Sequence, residues 1–397
     1  MPTSIIHIFN DDKFIDPSIK LFEEVIPNQS VYFIIKRSDV SLHYVKSTNV
    51  KKIDLSLHQE KKELLDFINS KLNHVVFFHA LDKDKQNLVI EILPIIKKVW
   101  FIWGYDLYSN WSLLKKDIYQ SKTKSFLKIK SNFKYKILNS WFAFLLFQNS
   151  KLIRKVNLKS YKILDNTFNT KFYQSVQLID FVVPVVPTEF SLVKKINSKV
   201  KYAPFTYGCL EDLLDDKLDK NVKNQPNILV GNSADPSNNH VEVFLKLSKL
   251  DLKDRIVYVP LSYGGNENYK NHVLNAGREL LGVNFHPLID FMPLEKYNQI
   301  LLSCGTLIFN HIRQQGVGNI IISGYLGATL FLNKKSPVYK YYKSIGIEVF
   351  STSQVSKKSF NPLNERFATQ NRDILYSLYS RKAVHEKIKT LIQIIDK

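Results

Sequence analysis

The feature that most restricts the fold of this chain is an alternation. Short runs rich in β-branched and aromatic residues recur between amphipathic pieces: Ser4 to Phe9, Val31 to Lys36, Val50 to Leu55, Val75 to His79 and Val99 to Trp103. Continuous apolar runs of this length mark parallel strands covered on both faces. Parallel strands need crossovers, and His58 to Leu72 places Leu64, Leu65, Ile68 and Leu72 on one helical face. The rhythm resumes with Leu178 to Val186, a helix from Thr188 to Asn197, and Val200 to Phe205. It starts again at Ile228 to Val230, followed by helices at about 238–250, 267–281 and 293–302 between runs at 255–260, 283–285 and 306–309. The fold class is therefore α/β.

A chain of 397 residues exceeds one ordinary core. The polar stretch LEDLLDDKLDKNVKNQP, 210–226, ends in Pro226 and reads as a linker. The expected division is a Rossmann-like domain over 1–209 with an insertion at 111–165, a second such domain over 227–362, and a helical segment over 363–397 that closes the second domain or returns to the first. Two α/β domains joined in this way are expected to leave a cleft facing the C-terminal ends of both sets of strands.

The net charge of +20 is concentrated. From Leu113 to Lys162 there are thirteen Lys and Arg residues against the single acid Asp117. Such a field draws an anionic partner, nucleic acid or an acidic membrane surface, although a solvated basic face has the same composition. Within it WFAFLLF, Trp141 to Phe147, is too short to span a bilayer but suits an interface, with Trp141, Phe142 and Phe144 dipping in and Lys134, Lys136, Lys151 and Arg154 meeting headgroups. As a buried core helix it reads equally well. Phe126, Phe133 and Tyr135 among the lysines are the features that a nucleic-acid binder would use as stacking platforms. No stretch approaches the roughly 18 apolar residues of a membrane-spanning helix. The N-terminus reads as a first strand rather than a signal peptide, and Cys209 and Cys304 form neither a disulfide framework nor a zinc spacing, which fits the cytoplasm.

Chemistry concentrates at strand ends. Asn310 to Asn333, NHIRQQGVGNIIISGYLGATLFLN, reads as strand end, glycine turn, helix and strand. At such a turn Gly316 and Gly318 let backbone approach a ligand, the helix start offers free N–H groups to phosphate, and Arg313 adds a positive fork beside Gln314, Gln315 and Asn319. Two spaced glycines alone also make a plain turn. The loop ILVGNSADPSNN supplies Gly231, Asn232 and Ser233 as donors, with Ser237 or Asn238 as the helix cap, and VPLSYGGNENY supplies Tyr263 for stacking on a base or sugar. In the first half, VWFIWGYDLYSNW gathers Trp103, Tyr105 and Tyr108 around Asp106, an aromatic surface for an acceptor. A carboxylate shielded this way has its pKa raised toward general-base duty. His79 is the second candidate base, and Asp11 and Asp12 complete the group. No metal-ligand cluster and no P-loop occurs, so no cofactor or metal is expected.

Taken together, IWGYDLY, ILVGNSADPSNNH, PLSYGGNENY and RQQGVGN, in this order and spacing, resemble the bacterial family of 4-acetamido-4,6-dideoxy-galactose (Fuc4NAc) transferases. The resemblance covers about residues 4 to 340 and is strongest from 227 to 333. It implies a GT-B fold, a dTDP-sugar donor held mainly by the second domain, a polyprenyl-diphosphate-linked acceptor held by the first, and peripheral attachment to the inner face of the cytoplasmic membrane. Residues 111 to 175 match the family poorly, and near Ser323, where many GT-B enzymes place a ribose-binding Glu, there is none. The reading is a metal-independent, inverting glycosyltransferase, with a nucleotide-sugar epimerase and a basic nucleic-acid-binding protein as alternatives.

Overall fold

The computed structural model describes residues 4–37, 40–71, 74–114, 116–129, 140–149, 154–155 and 157–397. Two compact units divide them. One draws on Met1–Lys116, Ser131–Gly208 and Arg381–Lys397, the other on Asp117–Lys130 and Cys209–Ser380.

In the first unit the expected runs form β1 (Ser4–Asn10), β2 (Ser30–Ile35), β3 (Val50–Ile53), β4 (His74–His79), β5 (Lys97–Phe101), β6 (Phe181–Val183) and β7 (Lys201–Tyr202). They make one sheet in the order β3-β2-β1-β4-β5-β6-β7, and every pairing is parallel. β4 is buried along its whole length, as a strand with helices on both faces must be. Phe77 and Phe78 are fully covered, each worth about 1.5–3 kcal/mol relative to exposure. The crossover helix His58–Asn69 buries Leu64 and Ile68 as its periodicity requires, and Leu72 lies outside the described residues.

The second unit repeats the plan with β8 (Asn227–Val230), β9 (Val257–Pro260), β10 (Phe285–Leu288), β11 (Cys304–Phe309), β12 (Thr329–Leu332) and β13 (Phe350–Ser351). Its order, β10-β9-β8-β11-β12-β13, is again wholly parallel. Parallel strands share one C-terminal edge, so the loops after β8, β9 and β11 emerge together.

Two boundaries differ from the sequence reading, and the C-terminal segment divides between its two expected destinations. Residues 210–226 are part of the second unit's body rather than a free linker: Leu210, Leu214 and Val222 are buried, and Val222 N–H bonds the Leu326 carbonyl at 2.8 Å. Asp117–Lys130, expected inside the first domain's insertion, belongs to the second unit. Its helix Ser121–Phe126 is held there because Glu242 accepts from Thr123 N and Thr123 Oγ1, both at 2.9 Å, while Phe126 stacks on His272. The C-terminal segment is two helices: Glu365–Tyr379 stays with the second unit and Arg381–Asp396 packs on Ile15–Val25 of the first.

Candidate active site

Gly231, directly after β8, adopts φ +68°. A side chain there would strike Asn238 Oδ1, at 2.6 Å from an added Cβ. The glycine is required because Asn238 Oδ1 fills that space to accept from Asn232 N at 2.9 Å and to meet His311 Nε2 at 2.6 Å. Gly316 is the counterpart after β11, with φ +62° and an added Cβ only 2.7 Å from Phe309 and 3.1 Å from Asn232. Gly265, after β9, brings its backbone against Ala234 so closely that a Cβ would lie 2.1 Å from the Ala234 carbonyl oxygen. Three glycines thus let three loops close on one another. Gly318 differs: its φ is ordinary and nothing lies within 4 Å of an added Cβ, so it borders open space.

The side chains of these loops form one network. Arg313 Nε donates to Ser237 Oγ at 2.8 Å, and its Nη2 stands 3.7 Å from Asp235. Ser237 Oγ is 2.5 Å from Asp235 Oδ1 and 2.6 Å from Gln315 Oε1, while Gln315 Nε2 donates to Ser233 Oγ at 3.0 Å. Asn232 Nδ2 donates to the Tyr263 hydroxyl at 2.9 Å, and Asn319 Nδ2 to the Tyr297 hydroxyl at 2.7 Å. Two acceptors in this cluster, Asn232 Oδ1 and Gln314 Oε1, are buried with no partner among the described residues. The helix Val317–Tyr325 starts here without a side-chain cap, and its first internal bond runs from Ile320 N to the Gly316 carbonyl. The amides of Val317, Gly318 and Asn319 precede that bond and carry the helix's positive end.

Sequence reasoning missed part of this cluster. The helix after this loop runs His240–Leu247 with Asn239, not Ser237 or Asn238, at its N-cap and no side-chain cap; Asp235 instead caps the preceding turn Pro236–Asn238, accepting from Ser237 N at 2.8 Å, and the Asp-Pro-Ser order was the available signal. Asn239 and Asn310 form a second tier, joined by Gln120, whose N–H donates to Asn239 Oδ1 at 2.7 Å and whose Nε2 donates to Asn310 Oδ1 at 3.1 Å. Tyr119, beside Gln120, feels the charges of Asp235 and Arg313, and burial raises its phenol pKa. No local signal connects residue 120 to residue 310. Ser323 sits buried in the helix, its hydroxyl unpartnered among the described residues.

In the first unit the candidates fare differently. Asp106 is buried with all its acceptor positions used: Leu81 N at 2.9 Å and Trp100 Nε1 at 2.7 Å on one oxygen, Trp103 N at 3.1 Å and Leu107 N at 3.0 Å on the other. Burial raises its pKa as expected, with the four bonds pulling the other way. It organises the turn and has no lone pair left for a substrate proton. His79 is likewise engaged. The Tyr207 hydroxyl accepts from Trp103 Nε1 at 2.7 Å and stands 2.5 Å from His79 Nδ1. His79 Nε2 lies 3.0 Å from His7 Nδ1, so both ring nitrogens of His79 are engaged. Burial holds both imidazoles far below the ordinary histidine range. Asp11 is spent on the backbone of His43, Tyr44 and Val45, and Tyr108 is core. Trp103 is half-buried, whereas Tyr105 and Phe14 are exposed. Asp12 stands apart from the others: half-buried, its pKa raised by burial, and its carboxylate bonded only to Phe14 N through Oδ1 among the described residues.

The WFAFLLF run forms the helix Trp141–Gln148 with two apolar faces. Ala143, Phe144 and Phe147 pack inward, the two rings against Phe168 and Tyr173, which removes Phe144 from any membrane contact. Trp141 and Phe142 are 64% and 66% exposed, beside exposed Leu145 and Leu146. The helix Leu158–Phe168 packs on this one and exposes Leu158; Arg154, Lys155 and Lys159 are exposed too. Lys134, Lys136 and Lys151 lie outside the described residues. Among the described residues no helix is long and apolar enough to cross a membrane.

A family model described as 4-alpha-L-fucosyltransferase, glycosyl transferase group 56, matches residues 193–389. Over these residues the chain is similar to glycosyl transferase group 56. The group 56 region contains all three glycine loops, and the resemblance read from their motifs is borne out there. Among solved structures, sucrose-phosphate synthase from Thermosynechococcus elongatus is similar at a TM-score of 0.61 with 8% identity, over 99% of each chain. Anabaena HepE, in complex with UDP and glucose, gives 0.58 at 9% identity over 98% of this chain and 100% of that one. α,α-Trehalose 6-phosphate synthase from Burkholderia multivorans gives 0.61 at 7%, over 100% and 98%. At these identities the likeness speaks for the fold alone, which is GT-B. The group 56 match makes the chain a hexosyltransferase.

Proposed function

We propose that the chain transfers a deoxy sugar, Fuc4NAc or a close relative, from a dTDP-type nucleotide-diphospho-sugar to a hydroxyl of a polyprenyl-diphosphate-linked glycan, at the inner face of the cytoplasmic membrane. The observation that carries the donor half is the loop cluster of the second unit. Arg313, fixed by Ser237, and the free amides of Val317 to Asn319 offer positive potential for a diphosphate. The orphan acceptors Asn232 Oδ1 and Gln314 Oε1 await donors such as sugar hydroxyls or base N–H groups. Anabaena HepE was solved with UDP, in keeping with a nucleotide diphosphate on this fold.

The reaction on this reading is one displacement. The acceptor oxygen bonds the anomeric carbon as the bond from that carbon to the diphosphate oxygen breaks, inverting the carbon and releasing the nucleoside diphosphate. Arg313 and the helix amides take up the leaving charge, and no metal ion is needed for that role. The acceptor proton goes to Asp12, whose raised pKa and free Oδ2 suit a base where Asp106 and His79 are saturated. Trp103, Tyr105 and Phe14 offer ring faces to the acceptor's sugars. Trp141, Phe142, Leu145 and Leu146, flanked by Arg154 and Lys155, suit insertion among acidic headgroups, which would bring the site to a lipid-borne acceptor.

A thermal-shift series with dTDP, UDP and GDP tests the donor half. Stabilisation led by dTDP is expected, and silence from all three would remove it. Flotation with phosphatidylglycerol vesicles tests the lipid half, with Trp141→Ala/Phe142→Ala expected to lose most of the bound fraction.

A further inference from the structure

A separate cavity lies in the first unit. It has a volume of ≈350 Å³ and is lined by Asn10, Lys36, Arg37, Asp54, Ser56 and Asp84 among others, within the roughly 300–1,000 Å³ of small-molecule sites. Asn10 ends β1, Lys36 and Arg37 follow β2, Asp54 to Ser56 follow β3, and Asp84 opens the helix after β4. The cavity therefore sits at the C-terminal edge where the strand order turns, β1 having β2 on one side and β4 on the other. That switch point is where open parallel sheets bind ligands.

The charge in this cavity is uncompensated at one atom. Lys36 is fixed by its N–H to the Ile53 carbonyl at 2.8 Å, and its Nζ is buried with no hydrogen-bond partner among the described residues. A buried ammonium without a partner is costly. The neighbouring acids are committed elsewhere. Asp54 Oδ1 takes the Ser56 N–H at 2.9 Å and the Ser56 hydroxyl at 2.6 Å. Asp82, behind Asn10, takes the buried Lys85 at 2.6 Å and the Asn10 amide at 2.7 Å. Asp84 is exposed on the helix start. No anion among the described residues satisfies Lys36, which leaves that place open to a ligand, and Arg37 adds a second cation at the same strand end. The exposed Asp84 carboxylate and the Ser56 hydroxyl oxygen are partners for hydroxyl groups, not for a second anion.

We propose that this cavity binds the anionic group of a hydroxylated ligand, a sugar bearing a phosphate ester or a carboxylate, with Lys36 Nζ as its counter-ion. Its use as an acceptor subsite rests on the transferase reading above; the anion site itself does not.

Calorimetric titration of the full chain with glucose 6-phosphate, glucuronate and glucose tests it, because the three probes share a ring and differ in charge. At least one anion is expected to bind tenfold or more tightly than glucose, and which one does so identifies the group. Lys36→Gln should weaken that anion by tenfold or more, Lys36→Arg should retain it, and dTDP binding should be equal in all three proteins. Equal anion binding in wild type and Lys36→Gln would overturn the site, as would anions binding no better than glucose. Anion binding lost with Lys36→Gln while no nucleotide binds even the wild type would uphold the site and sink the donor reading.

Discussion

The two units share a parallel-sheet plan but use their strand-end residues in opposite ways. In the second unit the polar side chains after β8, β9 and β11 hold one another in place and, among the described residues, still leave two buried acceptors and three helix amides unspent. In the first, Asp11, Asp106 and His79 have spent their capacity on the protein itself. A residue type suited to chemistry is thus not enough; what matters is whether a lone pair or donor remains once the local structure is satisfied.

Asp12 and Asp106 break this comparison most sharply. Asp12→Asn is expected to lower turnover by about 10²–10⁴-fold, the range for a lost general base, with the melting temperature unchanged. Asp106→Asn replaces an acceptor of four donors by an amide that opposes some of them, so it should cost about 3 kcal/mol or more of stability. Its folded fraction should keep most of its turnover. The reverse pattern, Asp106→Asn stable but inactive, would return the base to the aromatic turn.

Arg313→Ala comes next. If the guanidinium carries leaving-group charge, turnover should fall by about 10²–10³-fold, the scale for one preorganised donor. Ser237 and Asp235 also lose their partner, so circular dichroism and a melting curve must show the fold intact before the loss is assigned. Turnover within twofold of wild type would leave the amides as the only candidates for that charge.

These cases also show what was legible. The strands, the crossover helix and the three glycine loops were, because each rests on a local rule: continuous apolar runs for parallel strands, and left-handed backbone or close approach at Gly231 and Gly316. The role of residues 117–130 was not. Charge made the whole basic region look like one insertion, whereas the Thr123 to Glu242 and Gln120 to Asn310 bonds join residues over a hundred positions apart. Nor could Asp106 be told from Asp12, since both are carboxylates after a strand, and only the four donors converging on Asp106 separate them. Tyr207 escaped notice for the same reason, its place between Trp103 and His79 being set by tertiary packing.

Glu189 gives a smaller effect confined to the first unit. It is fully buried, and burial lifts its pKa from 4.5 to about 7, against the pull of the neighbouring Tyr108 hydroxyl and Val186 N–H. The folded state therefore holds this proton more tightly than the unfolded one. Its contribution is fully present below about pH 4.5 and is lost as pH rises through about 7. At roughly 1.4 kcal/mol per unit the loss amounts to about 3 kcal/mol by pH 8. Glu189→Gln should flatten the stability curve between pH 5 and 8 in urea titrations, raising stability at pH 8 more than at pH 5. Parallel curves for the two proteins would remove Glu189 as the source.

The smallest expected change lies in the second unit. Ser323 stands where a ribose-binding Glu would be sought, yet its hydroxyl is buried and unpartnered among the described residues. If the donor never reaches it, Ser323→Ala removes only an unsatisfied buried group. Stability should then stay equal or rise by about 1 kcal/mol, and dTDP affinity should not move. A hydroxyl that bonded the ribose would behave otherwise, because losing one hydrogen bond to a bound ligand costs about 0.5–1.5 kcal/mol, a severalfold weaker dissociation constant. Titration of Ser323→Ala with dTDP and with thymidine 5′-monophosphate separates the two. Unchanged affinity for both leaves recognition with the loops after β8, β9 and β11. Equal weakening of both, which share the deoxyribose but not the diphosphate, would place the sugar ring against this helix and extend the site beyond the residues that already converge.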